Sequence, residues 1–152
     1  MWIYGGGYFS GTSTLAVYDG AMLAAHGDVV VASMQYRVGP LGFLSLGDDP
    51  EAPGNAGLLD QQMALRWIHD HIEDFGGNPD HVTIFGESAG AASVGQHLVA
   101  PGSDQLFRYA IMQSASPWSP WSFISRDDAK ESAYKLAELV RHRNQSINQS
   151  ID

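Results

Sequence analysis

Two hydrophobic periods alternate along the chain. Short apolar runs of the length and β-branched character of buried strands occur at residues 2–4 (WIY), 28–36 (DVVVASMQY), 82–85 (VTIF) and 109–113 (YAIMQ). Between them the pattern lengthens. "NAGLLDQQMALRWIHDHIEDFGGNP" sets Leu58, Leu59, Met63, Leu65, Ile68, Ile72 and Phe75 near a 3.6-residue repeat closed by Gly76, Gly77 and Pro79, which predicts a helix. Helical spacing also covers residues 15–25, ending at Gly27, and residues 89–99. Ser125 can cap a helix running to about residue 140, with Asp127, Asp128 and Glu131 in its positive first turn. Residues 37–54 are interrupted by Gly, Pro and Asp and read as a long loop. Alternating strands and helices predict an α/β fold, a mainly parallel sheet with helices on both faces and right-handed crossovers. The closing "RHRNQSINQSID" is polar and aperiodic, so residues 1–140 are expected to form the domain and 141–152 a disordered tail.

The sharpest local feature is "VTIFGESAGAAS", where a strand runs into a glycine-flanked serine and then into small helix formers. Ser88 can be read as an ordinary helix cap. Alternatively, Gly86-Glu87-Ser88-Ala89-Gly90 fits G-x-S-x-G, the strand-to-helix elbow that exposes a serine nucleophile. A cap needs neither glycine, whereas an elbow needs both for a tight turn and close passage of strand and helix. In such an elbow the N–H of the next residue, Ala89, is one donor to the oxyanion, and a glycine loop after an earlier strand supplies the others. "IYGGGYF" is placed to do so. As a phosphate loop it fits neither G-x-x-x-x-G-K-[ST] nor G-x-G-x-x-G, although a flexible hairpin stays open.

A serine nucleophile needs a general base, which follows it in this architecture. Only His97 and His142 do. His97 falls at the far end of the same predicted helix, about 13 Å away at 1.5 Å per residue, and His142 is in the expected tail. No base is therefore found in the chain. His69 and His71 lie two apart on a helix and point apart, so no metal site is expected. Trp118, Trp121 and Phe123 serve either as packing or as pocket.

Charge narrows the partners. Seventeen Asp and Glu against eight Lys and Arg give a formal charge of −9 in 152 residues, which argues against nucleic acid and anionic membranes. Without cysteine there is neither a disulfide framework nor a thiolate metal site. No apolar stretch suggests a signal peptide or a membrane span. An N-terminus inside a hydrophobic strand-like segment suggests a piece of something longer.

The blocks "WIYGGGYFSGTSTLAVYDG", "VVVASMQYRVGPLGFLSLGDDPEAPGNAGLLDQQMALRWI", "FGGNPDHVTIFGESAGAASVGQHL" and "LFRYAIMQSASPWSPW" resemble successive segments of the type-B carboxylesterase and cholinesterase family, an α/β-hydrolase group, over residues 2–140. "SMQYRV", "GTSTLAVYDG" and "GESAGAAS" are more similar to its acetylcholinesterases, those of invertebrates especially, than to general carboxylesterases. The resemblance implies Ser88 as nucleophile and the N–H groups of Gly6, Gly7 and Ala89 as oxyanion hole. It implies Glu87 as a buried glutamate organising the choline end of the site, Trp121 as an acyl-pocket wall and Tyr18 as a tyrosine near the choline-binding region. Ser114 would be a buried polar neighbour, and Arg37 with Asp60 a structural ion pair. Phe9 stands with Tyr8 in an order reversed from the family's Phe-Tyr, which alters the gorge tyrosine, and Ala115 replaces a glycine. After residue 140 the family's cysteine is absent.

The same resemblance implies a central slice lacking the outer strands, the choline-binding tryptophan, the acid and the histidine. Function then divides three ways: a serine hydrolase of carboxylic esters, choline esters foremost; a neuroligin-like adhesion module, opposed by the intact Gly-Glu-Ser-Ala-Gly; or an inert truncated product. No cofactor is implied. A secreted or cell-surface, oligomer-forming parent is implied, and Asn144 and Asn148 fit glycosylation acceptors.

Overall fold

In the computed structural model, which describes residues 1–149 and the side chains of residues 1–143, the chain divides into two compact units. The first comprises Met1–Phe43 and Ala56–Phe123. Its centre is a three-stranded parallel sheet in the order β1 (Trp2–Ile3), β2 (Thr83–Glu87), β3 (Tyr109–Gln113). Trp2 pairs with Phe85 and Ile3 with Gly86; across β2, Thr83 to Glu87 pair in step with Tyr109 to Gln113. Alternate residues of β2, Ile84 and Gly86, are buried, as the two-residue period of a strand requires.

Helix α4 (Ala89–His97) follows β2 directly and packs on all three strands. Its small residues are buried nearly all round, and Gly95 is so close to Pro117 that a Cβ there would meet its Cδ at 2.3 Å. Helix α3 (Ala56–His71) continues as a 3₁₀ turn over Ile72–Phe75 and ends at Gly76, φ 80°. Leu65, Ile68 and Ile72 enter a core shared with Ile3, Tyr4, Ile84 and Val94, whereas Leu59, Met63 and Phe75 are exposed. Arg37 forks onto Asp60 with two bonds of 2.8 Å, and its backbone N–H donates to the same carboxylate at 2.9 Å. This is the expected ion pair, and each partner shifts the other's pKa toward the charged form.

In the first unit three expectations of secondary structure change. Residues 28–36 do not form a buried strand: one parallel bridge, Ser33 to Trp2, and one bond from Trp2 N to Ala32 O at 2.8 Å join them to β1, and Val29 and Val30 are exposed. A two-residue β1 offers too short a ladder to carry a longer neighbour. The predicted helix at 15–25 breaks at Asp19 and Gly20 into a 3₁₀ turn (Ala16–Tyr18) and α1 (Ala21–Gly27), because Asp19 takes an extended backbone (φ −61°, ψ 114°) and its carboxylate accepts from Ala21 N at 2.9 Å, opening a new helix. The loop at 37–54 contains a short helix, α2 (Gly39–Phe43).

The second unit joins Leu44–Asn55 to residues 124–149, which form α5 (Arg126–Gln149). Ser125 caps it, its hydroxyl accepting from Asp128 N at 3.2 Å. The helix passes the expected end near residue 140 and takes in residues 141–149, expected to belong to a disordered tail, because neither Gly nor Pro interrupts it. Arg126 pairs with Asp48 within this unit. No helix among the described residues is long and apolar enough to cross a membrane.

Candidate active site

β2 delivers Ser88 to the mouth of α4 in a conformation that serine rarely takes, φ 55° and ψ −122°. A non-glycine residue held there costs about 1–3 kcal/mol and persists only when its surroundings dictate it. They do so from three sides. Ser88 N–H donates to Gln113 O at 3.0 Å, extending the β2–β3 ladder by one residue, and Ser88 O accepts from Ala92 N at 3.0 Å, opening α4. The flanking glycines let β1 press against the turn: a Cβ at Gly90 would lie 2.0 Å from Ile3 O, and one at Gly86 would lie 2.7 Å from the same oxygen. The cap reading fails, because the Ser88 side chain makes no capping bond.

The glycine loop leaves β1 and lies on the elbow. A Cβ at Gly5 would stand 2.6 Å from Glu87 O and 2.9 Å from Ser88 Cβ, so only glycine allows this approach. Gly6 (φ 121°), Gly7 (φ 61°) and Tyr8 (φ 64°) turn the chain, with Gly6 O accepting from Phe9 N at 3.0 Å and Ser10 N at 3.2 Å. Ala89, as first residue of α4, contributes an N–H without an intrahelical acceptor at the positive helix end. Such an array suits an anion developing beside Ser88.

Of the remaining residues, Glu87 is half-buried, not buried, at the β2 end opposite Gln113. Tyr18 packs against Trp2 with the ring planes tilted by 50° and centroids 5.0 Å apart. Trp121 is half-exposed with its ring 6.4 Å from that of Tyr8, and Phe9 is 83 % exposed. Ser114, expected to be buried, is exposed with φ 62°, because it follows β3, whose residues other than Ala110 are exposed. The side chains of Asn144 and Asn148 lie outside the described residues.

The histidines of the first unit have other engagements. His26 bonds Met22 O, His69 pairs with Asp70, and His71 and His81 lie against Trp67 and Tyr109. His97 is fully buried between Gln61 Oε1 and Ser103 Oγ, each at 3.0 Å, and desolvation lowers its pKa to about 4. Sequence reasoning missed this cluster. Its signal was Gln61, which shares the buried face of α3 with Leu65, Ile68 and Ile72 at helical spacing.

A sequence model of the carboxylesterase family matches residues 1–152. The chain is 59% identical over 140 residues to an acetylcholinesterase of Electrophorus electricus and 56% identical over 140 residues to one of Danio rerio, in each case 92% of this chain and 22% of the relative. It is 52% identical over 151 residues to acetylcholinesterase 4 of Caenorhabditis briggsae, 99% of this chain and 25% of that protein. It thus spans about a quarter of the length of these curated relatives. With the elbow, glycine loop and parallel sheet in place, the chain belongs to the carboxylesterase family, and its sheet is part of an α/β-hydrolase fold.

Proposed function

We propose that this segment carries the nucleophile and oxyanion hole of a serine esterase acting on choline esters. The observation that supports this most is the strained Ser88 at φ 55°, held by glycine-only packing with its hydroxyl unused as a cap. Ser88 Oγ attacks the acyl carbon while its proton passes to an imidazole contributed by sequence outside residues 1–152. The carbonyl oxygen becomes an oxyanion received by Gly6, Gly7 and Ala89 N–H. Collapse expels the alcohol, protonated by the imidazolium, and water then cleaves the acyl-enzyme by the same route. The names of the acetylcholinesterase relatives favour a choline ester. Glu87 and Tyr18 then serve its cationic end, Trp121 the acyl group and Phe9 the approach.

Residues 1–152 alone are expected to turn over no ester, for want of the base. A protein of the relatives' length that carries them is expected to be secreted or cell-surface, with oligomer formation and glycosylation at Asn144 and Asn148 as further expectations. The test is labelling of that longer protein by an organophosphate probe. Modification of Ser88, absent in Ser88→Ala, is the expected result. Labelling that survives the substitution would overturn the assignment.

A further inference from the structure

The first unit buries a continuous line of polar side chains that the chemistry above does not use. The hydroxyl of Tyr8, the residue after the three glycines, lies 3.3 Å from Ser93 Oγ. Ser93 Oγ is 2.9 Å from Ala89 O and accepts from Gln61 Nε2 at 3.2 Å. Gln61 Oε1 faces His97 Nε2, and His97 Nδ1 faces Ser103 Oγ, which accepts from Gln62 Nε2 at 2.8 Å. Gln61, Ser93, His97 and Ser103 are at most 1 % exposed.

Proton accounting gives the line a direction. A serine hydroxyl has one proton and two lone pairs. Ser93 shares its one proton between Ala89 O and the Tyr8 hydroxyl oxygen, leaving its lone pairs to accept from the Gln61 amide. Gln61 Oε1 then accepts from His97 Nε2–H, and the bare His97 Nδ1 accepts from Ser103. Every group is satisfied, with His97 neutral. One end of the line is thus the carbonyl of Ala89, directly after the nucleophile, and a branch holds the residue directly after the glycine loop.

We propose that this line positions the oxyanion site, with Ser93 as the positioning residue: by holding Tyr8 it fastens the glycine loop to the first turn of α4 and sets the separation between the Gly6 and Gly7 N–H groups and that of Ala89. The inference rests on the esterase reading above. Tyr8 has a left-handed backbone (φ 64°), which requires outside support. Its ring contacts with Phe43 at 4.9 Å and Trp121 at 6.4 Å steady the ring, while the hydroxyl makes the hydrogen bond to α4. Phenylalanine at this position would keep the ring packing and lose the tether.

The test uses Tyr8→Phe in the longer protein, with acetylthiocholine as substrate, an aryl trifluoromethyl ketone as mimic of the tetrahedral oxyanion and tetramethylammonium as a ligand that makes no oxyanion. A displacement well under 1 Å at reacting groups predicts a fall in kcat of about tenfold with KM changed less than about twofold. Ketone affinity should fall with kcat and tetramethylammonium affinity should stay. Ser93→Ala should act in the same direction, and the double variant should be no worse than the poorer single one, as for two ends of one contact. Unchanged kcat and ketone affinity in Tyr8→Phe, or equal loss of ketone and tetramethylammonium binding, overturns the tether. Absence of Ser88-dependent turnover in the unsubstituted protein overturns the esterase reading itself.

Discussion

Replacing Gly90 with alanine puts one methyl group where the backbone of β1 already lies. Its Cβ would be 2.0 Å from Ile3 O, 2.8 Å from Ile3 C and 3.0 Å from Tyr4 C. A carbon normally approaches a carbonyl oxygen no closer than roughly 3.3 Å, so β1 and α4 must separate by more than about 1 Å or the helix must rotate. The obstacle is backbone on both sides, and no side chain can swing away. Overpacking of this kind costs about 3 kcal/mol or more, against a gain of about 1 kcal/mol because alanine is the better helix former. The net loss is about 2 kcal/mol. Gly27→Ala is the control: it too replaces a helical glycine, but its Cβ finds nothing closer than Val29 Cγ2 at 3.5 Å, so a gain of roughly 0.5–1 kcal/mol is expected. Urea midpoints of the longer protein should move in opposite directions for the two variants. A Gly90→Ala midpoint at or above that of the unsubstituted protein would refute the packing argument.

Gly6→Ala should lower turnover by roughly 10², because its Cβ would sit 2.2 Å from Ser10 O and rotate the loop N–H groups away from the oxyanion; an unchanged kcat removes Gly6 from the hole. Trp121→Ala should raise the ratio of kcat/KM for butyryl over acetyl esters, since removing a wall changes which transition state fits; an unmoved ratio returns Trp121 to packing. His97 should make the protein acid-sensitive. The unfolded chain takes up a proton near pH 6.5 that the folded one refuses until about 4, so stability is full above pH 6.5 and falls by about 3 kcal/mol as pH drops through that window. The difference in urea midpoint between the unsubstituted protein and His97→Gln, followed from pH 7 to 4, isolates this from carboxylate titration, and a pH-independent difference contradicts it.

The elbow was legible because its constraints are local. Gly86 and Gly90 are spaced by the turn itself, and β3 coincides with the short, mostly apolar run Tyr109–Gln113. What escaped was decided by partners far along the chain. Residues 29–31 have the composition of a buried strand, yet strand formation depends on the length of β1, to which sequence periodicity is blind. Gln61 and His97 lie on different helices far apart along the chain, and only folding makes them partners 3.0 Å apart. The bond between the Ser93 and Tyr8 hydroxyls is visible only in the fold, since phenylalanine and tyrosine share one hydrophobic pattern.

The pairing of Trp2 with Phe85 also orders events in time. These residues are separated by roughly eighty positions, and closing such a loop costs about 4 kcal/mol in chain entropy before any contact returns it. β1 therefore cannot settle during synthesis until β2 has emerged, and Ser88 cannot be forced into its left-handed geometry until β1, β2 and β3 are all in register around it. An unfinished chain holds a serine of ordinary reactivity. On the esterase reading proposed above, covalent capture of Ser88 becomes a stopwatch for maturation, because the geometry that exposes its hydroxyl waits on the register of the sheet around it.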